Sequence, residues 1–239
     1  MRRLDSCGGK VINLKLLALG SCRIGVPLNH CDFDVFNTWA EHKRQDKNPK
    51  LLIGRSWSIN EQLEMYKFLT GENDIENLVS HLDNPPDIGT IKNNVRKLSH
   101  GLNDLNGLVV ETSSLKYYKM KNEIIHNIDH DKLRRRRRFE HKLSINECER
   151  LFHEFIEYAN KPIFFVSHFL HNKIKSRMQL WELINEVSQK YDNVICINPS
   201  EMWTEENYND FLLDGTHYNK NGVKFACDKM QNIIKSYFK

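Results

Sequence analysis

The chain has 239 residues, 40% of them hydrophobic, and a net charge of +4 at neutral pH. That length supports one large core or two small ones. A charge this small, much of it in one arginine run at 134–138, does not argue by itself for a nucleic-acid ligand, and no stretch approaches the ~20 apolar residues of a membrane span.

Apolar runs of three to six residues alternate with amphipathic stretches along the chain. The first is LKLLAL at 14–19. It is short, Lys15 interrupts it, and no small-residue cleavage site follows, so it reads as a buried strand rather than a signal peptide. A brief second run, LLI, lies at 51–53, and residues 59–69 carry apolar positions at helical spacing. Residues 71–90 are an excursion broken by Pro85 and Pro86, and a helix-like segment follows around 91–98. The run LVV at 108–110 leads into 115–142, which is charged with scattered aromatics and is expected to be an insertion, part helix and part loop. Then come a helical pattern at 145–158, the strand IFFV at 163–166, a helical pattern at 178–187, the strand VICI at 194–197 and a last amphipathic helix at 223–238.

Strands apolar on both faces, alternating with helices, indicate a parallel sheet covered on both sides. The expected fold is α/β, a three-layer α/β/α sandwich in a single domain spanning 1–239. The six cysteines (7, 22, 31, 148, 196 and 227) form no Cys-x-x-Cys pair and no zinc-finger spacing. They fit reduced thiols, so the expected location is cytoplasmic.

Ligands of a parallel sheet bind at the carboxyl ends of its strands. After the first strand stand Gly20, Ser21, Cys22 and Arg23. After the second stand Gly54, Arg55 and Ser56. The third is followed by Glu111, Thr112, Ser113 and Ser114, and the fourth by Ser167 and His168. A serine hydroxyl needs a base within hydrogen-bond reach, and the base needs a carboxylate to fix its tautomer. Asp214 and His217, in the turn DGTH before the last helix, supply both residue types.

A serine after the first strand, a glycine after the second and a C-terminal Asp-x-x-His resemble the SGNH (GDSL-type) hydrolase superfamily. The first block, Leu19-Gly20-Ser21-Cys22, looks like that of GSCFA-type and polysaccharide-modifying members, and Arg55-Ser56 is similar to the latter group. The last block, Asp214 to His217 with Asn219 and Gly222, is the sharpest match. The resemblance implies an SGNH or flavodoxin-like sheet and acyl transfer by Ser21, His217 and Asp214. The N–H groups of Cys22, next to the nucleophile, and of Gly54 are the expected oxyanion donors, and Arg55, Ser56 and the strand-end His168 the expected substrate contacts. A glycan is the implied substrate. No cofactor is required, although acetyl-CoA would serve as acyl donor in a transferase. The third block departs from the superfamily, whose Gly-x-Asn-Asp supplies an oxyanion donor. Either Thr112 or Ser113 substitutes, or the hole has fewer groups; losing one donor costs on the order of 10²–10³ in rate.

Cys22 is a rival nucleophile, and it should point away from wherever Ser21 points. No phosphatase Cys-x5-Arg loop and no Gly-x-Ser-x-Gly elbow are present. The pairs His168/His171 and His126/His130 lack a third ligand at metalloenzyme spacing, so no metal is expected. Two other classes stay open: a catalytically silent binding protein of the same fold, and a nucleic-acid binder using the arginine run.

Overall fold

A computed structural model describes residues 13–37, 56–72, 93, 102–120, 123–125, 139–170, 174–201, 203, 204 and 206–239. Five strands, β1 (Lys15–Leu19), β2 (Asp34–Asn37), β3 (Gly107–Glu111), β7 (Ile163–Val166) and β8 (Val194–Ile197), form one sheet in the order β2-β1-β3-β7-β8. Every pairing in it is parallel.

Burial follows directly from strand periodicity. Side chains alternate between faces, so a strand covered on both sides must be apolar throughout. Leu17, Leu19, Leu108, Val110 and Phe165 face one layer, formed by α2 (Ile59–Thr70), α3 (Ile145–Ala159) and α4 (Lys175–Ser188). Leu16, Ala18, Val109, Phe164 and Val166 face the other layer, formed by α1 (Cys22–Leu28) and α5 (Lys220–Tyr237). The layered α/β architecture agrees with the sequence expectation.

Helix starts follow their capping residues. Ser144 accepts from the Glu147 N–H while the Glu147 carboxylate accepts from the Ser144 N–H, so orphan donors are satisfied reciprocally at the head of α3. Asn219 accepts from the Gly222 N–H at the head of α5. A Cβ on Gly222 would lie 2.1 Å from the Phe211 carbonyl oxygen, so only glycine lets this turn close onto the preceding loop.

Two expectations need correction or restriction. Residues 115–142 do not alternate helix and loop among their described members. They form a three-stranded antiparallel sheet, β5-β4-β6, from β4 (Lys116–Met120), β5 (Glu123–Ile125) and β6 (Phe139–Lys142). Cross-strand pairs hold it: Tyr117 stacks on His141, and Lys116 meets Glu140 at 2.8 Å. Second, β2 is an edge strand of sequence DVFN, too short and too polar to stand out. The run at 51–53, with Gly54 and Arg55, lies outside the described residues. So do most of 71–98, His126, His130, His171 and the arginine run at 134–138. Among the described residues no helix is long and apolar enough to cross a membrane.

Candidate active site

Ser21 stands between β1 and α1 and is the N-cap of that helix. Its backbone is fixed by the need to cap, and its hydroxyl is fixed by three contacts. It donates to Glu111 Oε2 at 2.5 Å, and it accepts from Arg23 Nη1 at 3.0 Å and from the Arg23 N–H at 3.3 Å. The Ser21 N–H donates to the same Glu111 oxygen at 3.1 Å. Glu111 ends β3, next to β1 in the sheet, and its side chain is wholly buried. Arg23 pairs with it at 3.2 Å, which supplies the opposite charge that a buried carboxylate requires. Gly20 permits the approach: a Cβ there would lie 2.9 Å from the Glu111 Cβ.

Glu111 and Arg23 therefore belong to the site, although the sequence pattern pointed only to their neighbours. The available signal was a charged residue directly ending an apolar strand at the ligand-binding edge.

The second half of the site is the turn before α5. Asp214 Oδ1 accepts from the N–H groups of Thr216 and His217, at 2.9 and 2.8 Å, and from the Thr216 hydroxyl at 2.8 Å. Its other oxygen, Oδ2, meets His217 Nδ1 at 2.8 Å. The His217 bond foremost, then those from Thr216, hold the Asp214 carboxyl well below the usual carboxylate range. Asp214 thus fixes the His217 ring with Nδ1 toward the carboxylate and Nε2 away from it. Both side chains are more than half exposed. No hydrogen bond joins Ser21 to His217.

The two halves meet through Tyr218, the residue after His217. Its ring packs edge-on against Phe169 at 4.9 Å, and the Arg23 guanidinium lies over Phe169 at 5.9 Å. Burial pushes the Tyr218 hydroxyl pKa far up. Glu111 and Cys22 act in the same direction, and Arg23 opposes them. The turn that carries His217 therefore reaches the edge where Ser21 stands.

The remaining expected residues fall in several places. Cys22 is the first residue of α1 and half-buried. The Ser56 N–H donates to the Gly20 carbonyl at 3.3 Å, which seats Ser56 beside the first block, and its Oγ is buried without a hydrogen-bond partner. The Thr112 hydroxyl donates to Gln62 Oε1 at 2.6 Å, and Gln62 Nε2 donates to the Glu111 carbonyl at 2.6 Å. That proton braces β3 and is not offered to a ligand in this arrangement. The Ser113 N–H is likewise committed to the Trp57 carbonyl.

Thr112, Ser113, Ser167, His168 and Arg177 line the polar side of a cleft at the ends of β3 and β7. Leu180, Trp181 and Ile184 of α4 form its apolar wall. Arg177 was not anticipated. Among the described residues, no three His, Cys, Asp or Glu side chains come together as a metal site.

The chain is similar in structure to a family 3 carbohydrate esterase of Clostridium thermocellum, with a TM-score of 0.50. The match covers 95% of this chain and 98% of that one at 12% identity, so the likeness is one of fold. No protein-family model matches the chain, and no curated protein does.

Proposed function

We propose that this protein is a serine esterase of the SGNH type that removes, or transfers, an O-acyl group on a carbohydrate. The observation that carries the proposal is the 2.8 Å contact between Asp214 and His217, in a turn whose next residue, Tyr218, packs on the same Phe169 ring as Arg23, the residue bonded to the Ser21 hydroxyl.

In this reading Ser21 Oγ attacks the acyl carbonyl carbon. His217 Nε2 takes the hydroxyl proton, while Asp214 stabilises the imidazolium through Nδ1. The N–H groups of Cys22 and Gly54 receive the oxyanion. His217 returns the proton to the leaving sugar hydroxyl, which departs and leaves an acyl-serine. Water, or the hydroxyl of an acceptor, then attacks that ester with His217 again as base. For transfer, an acyl-CoA such as acetyl-CoA would be the donor. Before attack, the Ser21 hydroxyl must turn from Glu111 toward His217, a rotation about one side-chain bond. Glu111 keeps the Ser21 N–H, and Arg23 offsets its negative charge near the developing oxyanion. The GSC first block favours a polysaccharide-modifying role, and the fold likeness to a carbohydrate esterase is consistent with it.

The test is hydrolysis of p-nitrophenyl acetate by wild type and by Ser21→Ala, with folding followed by circular dichroism. Turnover should fall by on the order of 10³ or more with the fold intact. Unchanged turnover in the variant would remove Ser21 from the nucleophile role.

One observation favours a second reading, a catalytically silent binding protein. Glu111 occupies both the hydroxyl proton and the N–H of Ser21. A fluorophosphonate probe separates the two: labelling that is lost in Ser21→Ala supports the esterase, and no labelling of wild type supports the silent protein.

A further inference from the structure

Four buried side-chain atoms at this edge have no hydrogen-bond partner: Arg23 Nε, Ser56 Oγ, Arg177 Nη1 and Tyr218 Oη. They come from four separate segments of the chain: Ser56 and Arg23 adjoin the Ser21 turn directly, and Tyr218 and Arg177 lie within electrostatic reach of Arg23 and Glu111. Ser56 sits against Gly20, and Arg23 holds both Ser21 and Glu111. Tyr218 shares Phe169 with Arg23, and Arg177 lines the cleft beside Thr112. Buried polar groups are nearly always paired, so a cluster of unpaired ones calls for a ligand that completes them.

Their chemistry narrows that ligand. Guanidinium N–H groups only donate, while the two hydroxyls can donate or accept. A group with several acceptor oxygens can take donors of every one of these kinds. Charge narrows it further. Glu111 is ion-paired with Arg23 at 3.2 Å, and Arg177 forms no ion pair among the described residues. Desolvation first, then the like charge of Arg23, lowers the Arg177 pKa, with Glu111 acting in the opposite direction; a further anion beside Arg177 would favour its cationic form.

The local sequence is also set against folding alone. The N-cap of α4 is Ile174, which makes no side-chain cap, and the first turn carries Lys175 and Arg177 with no acidic residue. Cations at a helix N-terminus oppose its dipole.

We infer that Arg23 and Arg177, with the hydroxyls of Ser56 and Tyr218, bind an oxyanion group of the ligand, a carboxylate or a phosphate, beside Ser21. Where that ligand is also the substrate, the inference rests on the esterase reading; anion binding itself does not. On that reading the carbohydrate is acidic, either a uronate-type sugar or a phosphorylated one.

Isothermal titration of the full chain with D-glucuronate, inorganic phosphate and D-glucose tests this without any turnover. At least one anion should saturate a single site, with glucose giving no heat. Which anion binds tells the carboxylate source from the phosphate source. Arg177→Gln should weaken the anion about ten-fold or more, as expected for the loss of a charge-assisted hydrogen bond. Lys175→Gln, which removes an exposed charge two residues away, should leave the affinity within about two-fold. If Arg177→Gln does not fold, Arg177→Lys keeps the charge, loses the planar fork, and should still weaken binding.

Wild type that binds neither anion, or binds glucose equally, overturns the inference. So does equal weakening by Arg177→Gln and Lys175→Gln, which would reveal a diffuse charge effect. Anion binding by a protein that never cleaves an ester sinks the esterase proposal and leaves the site standing.

Discussion

The two halves of the candidate site are built in opposite ways. Ser21 and Arg23 come from the head of α1 and Glu111 from the end of β3, and they are locked in one network with the Glu111 side chain wholly enclosed. Asp214 and His217 come from one four-residue turn, and both side chains are more than half exposed. The buried half depends on tertiary structure for every contact with Glu111. The exposed half is closed by its own backbone: Asp214 is held by N–H groups two and three residues ahead, as in an Asx-turn. On the proposed reading, the nucleophile side is therefore tied to tertiary stability, while the base side is held by its own local contacts.

Substitutions can break this contrast, and the largest effect is expected on the exposed side. Asp214→Asn should lower kcat for p-nitrophenyl acetate by on the order of 10³–10⁴, the scale of losing the residue that sets a histidine tautomer. Its unfolding midpoint should fall only slightly, because both partners are more than half exposed and screened by solvent. A matching drop in stability would show that the turn is structural after all.

Glu111→Ala should do the converse. It strands the Arg23 guanidinium and the Ser21 N–H in a buried setting, which costs about 3–5 kcal/mol, read as a fall in the denaturant midpoint. A stable Glu111→Ala protein would mean that the network is dispensable.

A smaller loss is expected from Thr112→Val, which removes the donor to the buried Gln62 carbonyl. It should cost about 1–3 kcal/mol and leave substrate affinity unchanged. An altered KM would return Thr112 to the substrate contacts.

The smallest effect sharpens the exposed side through pH. Asp214 has a depressed folded pKa, so the stability it contributes is complete above the ordinary carboxylate pKa. That stability is lost only as pH falls through the depressed value, below the usual carboxylate range. On the acid side of about pH 4, wild type should therefore lose stability that Asp214→Asn never had, as Asp214 becomes protonated. Parallel acid limbs for the two proteins would contradict the assigned state of Asp214.

The same contrast explains what could be read from sequence. Strands β1, β3 and β7 were visible because covered strands must be apolar on both faces, and the Leu17/Leu16 and Phe165/Phe164 pairs show it. Asp214 and His217 were visible because their geometry is local. Glu111 was not, since its partners lie 88 and 90 residues away and only the β1–β3 pairing brings them together. Arg177 and Tyr218 were missed for the same reason. Strand β2 escaped because an edge strand needs fewer apolar residues. The sheet β5-β4-β6 escaped because the lysines flanking Tyr117 and Tyr118 read as a solvated loop until Glu140 and His141 are set opposite them.

Helices α1 and α5 start at the two halves of the site and pack on each other, with Ile24, Leu28, Ala226 and Met230 in one buried cluster. Beyond them the free thiols of Cys31 and Cys227 lie 2.9 Å apart, and Asp32 receives Gln231 and Lys235. Close-packed interiors transmit displacement rather than absorb it. The two helices thus work as the arms of a caliper whose jaws are Ser21 and His217. The jaw opening is set by buried apolar side chains away from both residues, so on the proposed reading trimming Met230 would mis-set the gap without touching a reacting atom.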